Sequence, residues 1–259
     1  MALALVTGAT GGIGQELCDI LAAHGFDLVL VARNKNRLEE MASQLSTRYS
    51  IQAFAFPADL SERDAARNLY QAVTEAGIEV DFLANNAGFG DQGAFLDSRW
   101  ERQRDMIEVN ILALMELAYL FGNDMRKRSH GRILNVSSVA AFSAGPYMPT
   151  YFASKAFVLS FSQALGEELK GSGVTVTALC PGTTQTGFWD AAGMDPHNVF
   201  SLMQAQNPRS VAELGYRATM AAKPVALHSP ATKLANIASR IAPRRLSTWL
   251  MGQVLSRRG

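Results

Sequence analysis

The sequence contains few cysteines and few candidate metal ligands. It has 259 residues, and its two cysteines and four histidines lack the short spacings that metal sites require. Cys18 and Cys180 are far apart, and each lies within an apolar run, which predicts two buried, reduced thiols. This composition argues against a disulfide-stabilised secreted domain, predicts no metal site and favours a cytoplasmic location.

Long hydrophobic runs and strong net charge are also missing. The longest apolar stretch, residues 111–121, is too short to span a bilayer and contains Glu116. The opening MALALVTGAT lacks the basic residues of a signal peptide and runs directly into a glycine turn. The formal net charge of +1 gives no reason to expect a nucleic-acid partner. We therefore expect neither a transmembrane protein nor a nucleic-acid-binding protein.

Acidic residues are absent after Glu213, where eight basic residues occur. In this tail, RRLSTWLMGQVLSRR places Leu246, Trp249, Leu250 and Val254 at helical spacing, with arginines at both ends. A basic amphipathic helix of this kind can make peripheral contact with an anionic membrane. It can also pack across a dimer interface or on its own domain, which is the commoner outcome.

Short apolar runs alternate with helical patterns along the chain. Strands are predicted at residues 2–7, 27–32, 51–56, 80–85, 132–137 and 174–180, with a candidate seventh at 224–229. Predicted helices include one capped at Ser61, one from about Trp100 to Arg128 and one from near Tyr151 to near Lys170. This alternation indicates an α/β fold, a Rossmann-type doubly wound parallel sheet of about seven strands with helices on both faces.

The first predicted strand ends in TGATGGIG, which places Gly8, Gly12 and Gly14 between a strand and a helix. Glycine at these positions lets backbone N–H groups and a helix N-terminus approach a pyrophosphate closely. A turn without a ligand is the alternative, but the strand–turn–helix context favours a dinucleotide site.

The second predicted strand ends in VARNKNR. A carboxylate about 20 residues beyond the glycines would bind the ribose 2′-hydroxyl of NAD, whereas this sequence has Arg33 there. A guanidinium group suits a 2′-phosphate, so the sequence favours NADP(H). The alternative is that Arg33 is a solvated residue at the start of a helix.

Polar side chains recur at the ends of later strands. NNAG, at residues 85–88, ends the fourth strand, and NVSSVAAF, with Ser138, follows the fifth. Tyr151 and Lys155 lie one helical turn apart in YFASKAF, either as a surface pair or as a means of bringing an ammonium group to a phenol. Ligands bind at the carboxyl ends of strands in such a sheet.

These motifs together resemble the short-chain dehydrogenase/reductase (SDR) family, in its compact NADP-dependent branch. The resemblance covers about residues 3–190 and includes TGATGGIG, Asp59, NNAG, Asn110, Ser138, YFASK and the PGTTQT that follows the sixth strand. All of these occur in order and at compatible spacing, which is far more specific than any single motif.

The resemblance implies a catalytic role for Asn110, Ser138, Tyr151 and Lys155. Tyr151 would be the general acid in carbonyl reduction and the base in alcohol oxidation. Lys155 would lower the pKa of this phenol from its usual value of about 10. Ser138 would bind the substrate oxygen, and Asn110 would hold a water that links Lys155 to solvent. If Asn110 has no such role, it is a solvated polar residue of the helix.

The cofactor-binding residues that the resemblance implies follow the strand ends. They are Gly8, Thr10, Gly11, Gly12, Ile13, Gly14, Arg33, Asn34, Arg37, Asp59, Leu60, Asn86, Ala87, Gly88, Tyr151, Lys155, Pro181, Gly182, Thr184 and Thr186. For Asp59 the alternative is an N-terminal helix signal, and for PGTTQT it is a plain turn. We expect a dinucleotide-binding and catalytic domain over residues 1–230 and a basic helical extension over 231–259.

The region expected to form a lid, at about residues 187–207, is rich in apolar side chains such as Phe188, Trp189 and Phe200. These predict a lipophilic ketone, aldehyde or acyl compound as substrate, unless they pack on the domain's own core. An NADP(H)-binding regulatory protein on the same fold is the alternative function. A nucleotide-sugar epimerase is disfavoured by the glycine spacing and the length. The resemblance also implies a homodimer or homotetramer.

Overall fold

The structure, a computed structural model, describes residues 2–185, 188, 192–193, 205–227 and 243–256. In chain order its elements are β1 (Leu3–Thr7), α1 (Gly12–Ala23), β2 (Asp27–Ala32), α2 (Lys35–Tyr49), β3 (Ala53–Pro57), α3 (Ala65–Glu75), β4 (Phe82–Asn85), a 3₁₀ turn (Phe95–Asp97), α4 (Trp100–Ile107), a π-helical segment (Glu108–Ala113), α5 (Leu114–Lys127), β5 (Gly131–Val136), a second 3₁₀ turn (Val139–Phe142), α6 (Pro149–Glu168), β6 (Val174–Cys180), α7 (Pro208–Met220), β7 (Val225–Leu227) and α8 (Arg244–Leu255).

The seven strands form one sheet in the order β3-β2-β1-β4-β5-β6-β7, and every neighbouring pair is parallel. Successive residues of a strand point to opposite faces, so Val6 packs in one core and Leu5 in the other. Helices α1, α2 and α7 contribute to the first core, and α3, α5 and α6 contribute to the second. The predicted doubly wound parallel sheet is confirmed.

Several element boundaries differ from the prediction. Helix α3 begins at Ala65 and not at Ser61, because the Ser61 backbone and hydroxyl both donate hydrogen bonds to Asp59 instead. Strands β3 and β4 each begin two residues later than predicted, at Ala53 and Phe82. Of the candidate seventh strand, residues 225–227 are a strand, while residues 228 and 229 lie outside the described part.

The long helix predicted from Trp100 to Arg128 contains a π-helical segment at Glu108–Ala113. One extra residue in such a turn shifts the side chains that follow it, and these insertions are frequent at functional sites. The segment carries Asn110, which is fully buried, so the alternative of a solvated polar residue is wrong.

Helix α8 packs on its own domain through one face. Leu255 is buried, and Gly252 lies against Pro146, where an added Cβ would come within 3.3 Å of the proline ring. Leu246, Trp249 and Leu250 on the same helix are exposed. Among the described residues, no helix combines the length and apolar character needed to cross a membrane.

The two cysteines are free and buried, as predicted. The described residues contain no cluster of three or more His, Cys, Asp or Glu suited to a metal ion. Most of the expected lid, residues 187–207, lies outside the described part of the chain; Phe188, Ala192, Gly193 and residues 205–207 are described.

Candidate active site

A cavity of about 580 Å³ lies at the carboxyl edge of the sheet. Ligands of open α/β sheets bind at this edge, where the strand order reverses between β1 and β4. The sequence-predicted residues that line it are Gly8, Thr10, Gly11, Gly12, Ile13, Arg33, Arg37, Asn86, Ala87, Gly88, Ser138, Tyr151, Lys155, Pro181, Gly182 and Thr184. Residues separated by more than 150 positions in the chain therefore meet in one cavity.

Other predicted residues lie behind the cavity wall. The Asn34 side chain caps α2 by accepting a hydrogen bond from the Arg37 backbone, 3.1 Å away. Leu60 is buried in the core between the sheet and α3. Asn110 and Gly14 support residues of the lining, as described below, and Thr186 lies outside the described residues.

Asp59 also lies away from the cavity lining. Burial alone would raise the pKa of its carboxyl, but hydrogen bonds from Ser61 and the charge of Arg33 lower it overall. The predicted alternative, a helix-start signal, is not what the structure shows, because α3 begins six residues later at Ala65.

The glycine turn is packed so tightly that side chains are excluded from it. A Cβ on Gly14 would lie 2.2 Å from the carbonyl oxygen of Gly8, and Gly8 itself has φ +66°. The Asn86 side-chain amide donates to the carbonyl oxygens of Thr7, at 2.9 Å, and Gly8, at 3.3 Å. These contacts fasten the turn to the segment after β4.

The N-terminus of α1 opens into the same cavity. The helix begins at Gly12, and a Cβ on the preceding Gly11 would meet no atom within 4 Å. Unpaired N–H groups at a helix start attract an anion such as a pyrophosphate. The glycine turn and the N-terminus of α1 fit the dinucleotide predicted from the sequence.

Two exposed arginines, Arg33 and Arg37, line the cavity where it borders β2 and α2. Among the described residues that line the cavity there is no aspartate or glutamate. This region is therefore electrostatically suited to a phosphate and unsuited to the pairing of a carboxylate with a ribose hydroxyl.

Tyr151 lies in the first turn of α6, beside Ser138, which follows β5 and caps the second 3₁₀ turn. Burial raises the pKa of the Tyr151 phenol to about 12, although a hydrogen bond with Ser138 acts in the opposite direction. The pKa of Tyr151 is thus above its usual value of about 10, contrary to the expectation that Lys155 lowers it. The Lys155 ammonium lies 5.8 Å from the centre of the Tyr151 ring, and burial is the larger effect.

Lys155 is buried, and its Nζ donates a hydrogen bond to the carbonyl oxygen of Val136 at 3.0 Å. Burial lowers the pKa of this ammonium to about 8, which leaves it charged at neutral pH. A Cβ on Gly88 would lie 3.1 Å from Nζ, so the glycine of NNAG provides the clearance for this lysine.

The Asn110 carboxamide joins two elements around Lys155. Its Nδ2 donates to the Phe89 carbonyl, at 3.0 Å, and to the Ser154 hydroxyl, at 3.1 Å. Its Oδ1 accepts from the Phe89 backbone N–H at 3.0 Å. Asn110 therefore ties the segment after β4 to helix α6.

Sequence reasoning missed several residues of the site. Thr7 is one, because its hydroxyl accepts hydrogen bonds from the backbones of Asn86 and Ala87, each at 3.0 Å. Its position at the end of β1 was a usable signal. Val136, Ser137 and Thr183 also line the cavity next to predicted residues, and further unpredicted lining residues are apolar: Phe89, Val139, Ala140, Met148, Phe152, Met251 and Leu255. No local pattern marks Met251 and Leu255, which come from a distant segment.

Comparison with known proteins gives a consistent result. The family model described as short chain dehydrogenase matches residues 2–196. Nodulation protein G of Rhizobium sp. (strain N33) is 37% identical over 191 residues, which cover 72% of this chain and 75% of that protein. The 7beta-hydroxysteroid dehydrogenase of Collinsella aerofaciens is 32% identical over 182 residues, covering 70% of this chain and 68% of that protein.

A solved structure agrees with this assignment over nearly the whole chain. The short-chain dehydrogenase from Sphingobium yanoikuyae in complex with NADPH superimposes with a TM-score of 0.83 and 32% sequence identity. The likeness covers 93% of this chain and 94% of that one. The chain therefore belongs to the short-chain dehydrogenase/reductase family and is an oxidoreductase that interconverts carbonyl compounds and alcohols.

Proposed function

We propose that the protein is an NADP(H)-dependent oxidoreductase that reduces a lipophilic ketone, aldehyde or acyl compound, with Tyr151 as general acid/base. The observation that carries this proposal is that the glycine turn, Arg33, Arg37 and the group Ser138, Tyr151 and Lys155 all line one cavity. The alternative is an NADP(H)-binding regulatory protein that has the same fold but no physiologically important turnover.

For the cofactor, the backbone at Gly11 and Gly12 would hold the pyrophosphate, and Arg33 with Arg37 would hold the 2′-phosphate. Lys155 and Tyr151 would contact the ribose next to the nicotinamide. The likeness to a structure that contains NADPH supports this choice. When bound, NADP(H) supplies or accepts the hydride.

The proton chemistry follows from burial. With a pKa of about 12, the Tyr151 phenol is protonated at pH 7, which is the form that can donate a proton to a substrate oxygen. Ser138 would stabilise the charge that develops on that oxygen. The buried ammonium of Lys155 would stabilise the phenolate that remains, and Asn110 would hold the water that returns a proton.

The cavity lining near Tyr151 is apolar, which favours an apolar substrate. Met148, Phe152 and Phe188 line this part of the cavity, and the Phe188 ring centre lies 5.2 Å from that of Tyr151. Burial of apolar area would supply the binding energy. One relative is a hydroxysteroid dehydrogenase by name, which supports the same substrate class.

A Tyr151→Phe variant tests the function. With NADPH and a panel of lipophilic ketones and aldehydes, we expect kcat to fall about 100-fold or more, because the proton donor is lost. Fluorescence titration should show that NADPH still binds, and Tyr119→Phe, an exposed tyrosine on α5, serves as the control. Turnover that survives Tyr151→Phe would refute the assignment. NADPH binding without turnover of any carbonyl compound would favour the regulatory alternative.

An Arg33→Asp variant tests the cofactor choice. We expect the preference for NADPH over NADH to fall about tenfold or more, because a charge-assisted pair with the 2′-phosphate is lost. Lys35→Asp, two residues later at the start of α2, is the matched control, since Lys35 does not line the cavity. Equal affinity of the wild type for NADH and NADPH would overturn the role of Arg33.

We further propose a homodimer or homotetramer, based on exposed apolar side chains on α4, α5 and α6. Peripheral membrane contact through the exposed face of α8 stays a prediction. So does the division into a domain at 1–230 and an extension at 231–259.

A further inference from the structure

Helix α8 supplies two residues, Met251 and Leu255, to the lining of the cavity. They lie beyond residue 196, where the match to the family model ends. Leu255 is 1% exposed although it lies close to the last described residue. A segment outside the family-model match therefore completes the cavity wall.

The position of α8 relates it to the substrate and not to the cofactor. Met251 and Leu255 belong to an apolar cluster with Ala140, Met148, Phe152, Tyr151 and Phe188. This cluster contains the proposed proton donor but no residue of the glycine turn and neither arginine. Any group that extends from a carbonyl carbon beside Tyr151 into this cluster would meet α8.

The helix is fastened at this position. The Gln92 side-chain Nε2 donates a hydrogen bond to the carbonyl oxygen of Leu255 at 3.0 Å, and Gln92 is itself buried. The Gln92 backbone N–H donates to the carbonyl oxygen of Ala192, also at 3.0 Å. One residue thus holds both α8 and a residue of the expected lid.

We propose that α8 forms the distal wall of the substrate site, that Met251 and Leu255 set the length of apolar group a ketone can carry, and that Gln92 is a positioning residue for this wall. This inference rests on the proposed function, and it specifies the substrate class as ketones with an extended apolar substituent. Met and Leu side chains contribute apolar area without a hydrogen-bond requirement, so they select by size and not by polarity.

The test uses a series of methyl ketones from butanone to 2-undecanone with the full-length protein and NADPH. Met251→Trp fills the distal end, and we expect kcat/KM for 2-undecanone to fall about tenfold or more relative to that for butanone. Met251→Ala enlarges the site and should shift the preference towards bulkier ketones. Leu250→Ala on the exposed face of the same helix is the matched control. An unchanged chain-length profile in both Met251 variants would overturn the proposal.

A binding measurement separates this inference from the proposed function. With NADP⁺ in place of NADPH, a ketone cannot be reduced, so its Kd can be measured by calorimetry whether or not the enzyme turns over. Met251→Trp should raise the Kd of 2-undecanone about tenfold, whereas Leu250→Ala should not. If no ketone is turned over but this difference in Kd appears, the assignment of α8 as the distal wall holds and the proposed oxidoreductase function is wrong. Equal Kd values for 2-undecanone in the two variants would refute the assignment of Met251 to the distal wall.

Gln92→Ala tests the positioning role. We expect KM for 2-undecanone to rise while kcat and the KM for butanone remain unchanged. Hydrogen exchange of the α8 backbone should become faster, because its attachment is lost. A uniform effect on both ketones would indicate a general structural role and contradict the assignment.

Discussion

Burial shifts the pKa values of both Tyr151 and Lys155. It raises the pKa of the phenol to about 12 and lowers the pKa of the ammonium to about 8, so each neutral form is favoured. Neither shift crosses pH 7, so at neutral pH the pair is a neutral phenol and a charged lysine. A neutral phenol is the form required to donate a proton during carbonyl reduction.

The lowered pKa of Lys155 predicts a pH-dependent stability. Between about pH 8 and pH 10.5 the unfolded chain binds more protons at this lysine than the folded chain, so the free energy of unfolding rises with pH. Urea unfolding should show the wild type gaining about 2 kcal/mol relative to Lys155→Met between about pH 7 and pH 9.5.

The comparison with Lys155→Met isolates the lysine. Cys18 and Cys180 have raised pKa values because they are buried, and they oppose the trend, but both proteins contain them. The raised pKa of Tyr151 affects stability only above about pH 10, outside the measured range. If the free energies of unfolding of the wild type and Lys155→Met change with pH in parallel, Lys155 does not have the lowered pKa that burial gives it.

The glycine turn provides a second prediction for a single residue. Gly14→Ala places a Cβ 2.2 Å from the Gly8 carbonyl oxygen, so the backbone has to move. We expect a loss of about 2 to 3 kcal/mol in the free energy of unfolding, measured in urea without cofactor. Gly11→Ala, which meets no atom within 4 Å, should unfold like the wild type. Equal stability of the two variants would show that the turn is not rigid.

Among the elements, the π-helical segment Glu108–Ala113 decides where Asn110 points. It interrupts the helical pattern between α4 and α5 and places the carboxamide against Phe89 and Ser154. Helix–helix and helix–loop contacts around Lys155 therefore depend on a local change of helical geometry.

Asn110→Ala should lower the free energy of unfolding by about 2 to 3 kcal/mol, because the part-buried N–H and C=O of Phe89 and the buried Ser154 hydroxyl each lose a partner. Asn123→Ala on α5 is the control, since its hydrogen bond to Tyr119 is exposed to solvent. Thermal or urea unfolding of the two variants gives the comparison. A loss for Asn110→Ala no greater than that for Asn123→Ala would show that Asn110 does not join these elements.

Across the whole molecule, large apolar side chains are exposed on the helices of one sheet face. Trp100 on α4 is 67% exposed, Tyr119 on α5 is 68% exposed, and Phe157 on α6 is also exposed. Exposed apolar surface of this extent is typical of an interface. Helix α8 offers a competing surface through Leu246, Trp249 and Leu250.

Sedimentation velocity can distinguish the two surfaces. We expect the wild type to be a dimer or tetramer and Tyr119→Arg to shift it towards the monomer, because a charge is desolvated at the interface. Leu250→Arg should leave the assembly intact. The reverse result would place the interface on α8, and a monomeric wild type would remove the proposed assembly altogether.

The sequence alone determined the features that depend on local spacing. Alternating apolar runs specify the strands and helices, and the glycines of TGATGGIG specify the turn, because these follow from backbone geometry and burial within a few residues. The i, i+4 spacing placed Tyr151 and Lys155 on one helix face for the same reason.

Only the tertiary structure decided features that depend on distant segments. The burial that raises the pKa of Tyr151, the hydrogen bonds that occupy Asn110 and the wall formed by Met251 and Leu255 all require contacts across many residues. Desolvation and packing depend on what surrounds a side chain in space. The neighbours of these residues come from other strands and helices, so no local pattern in the sequence specifies them.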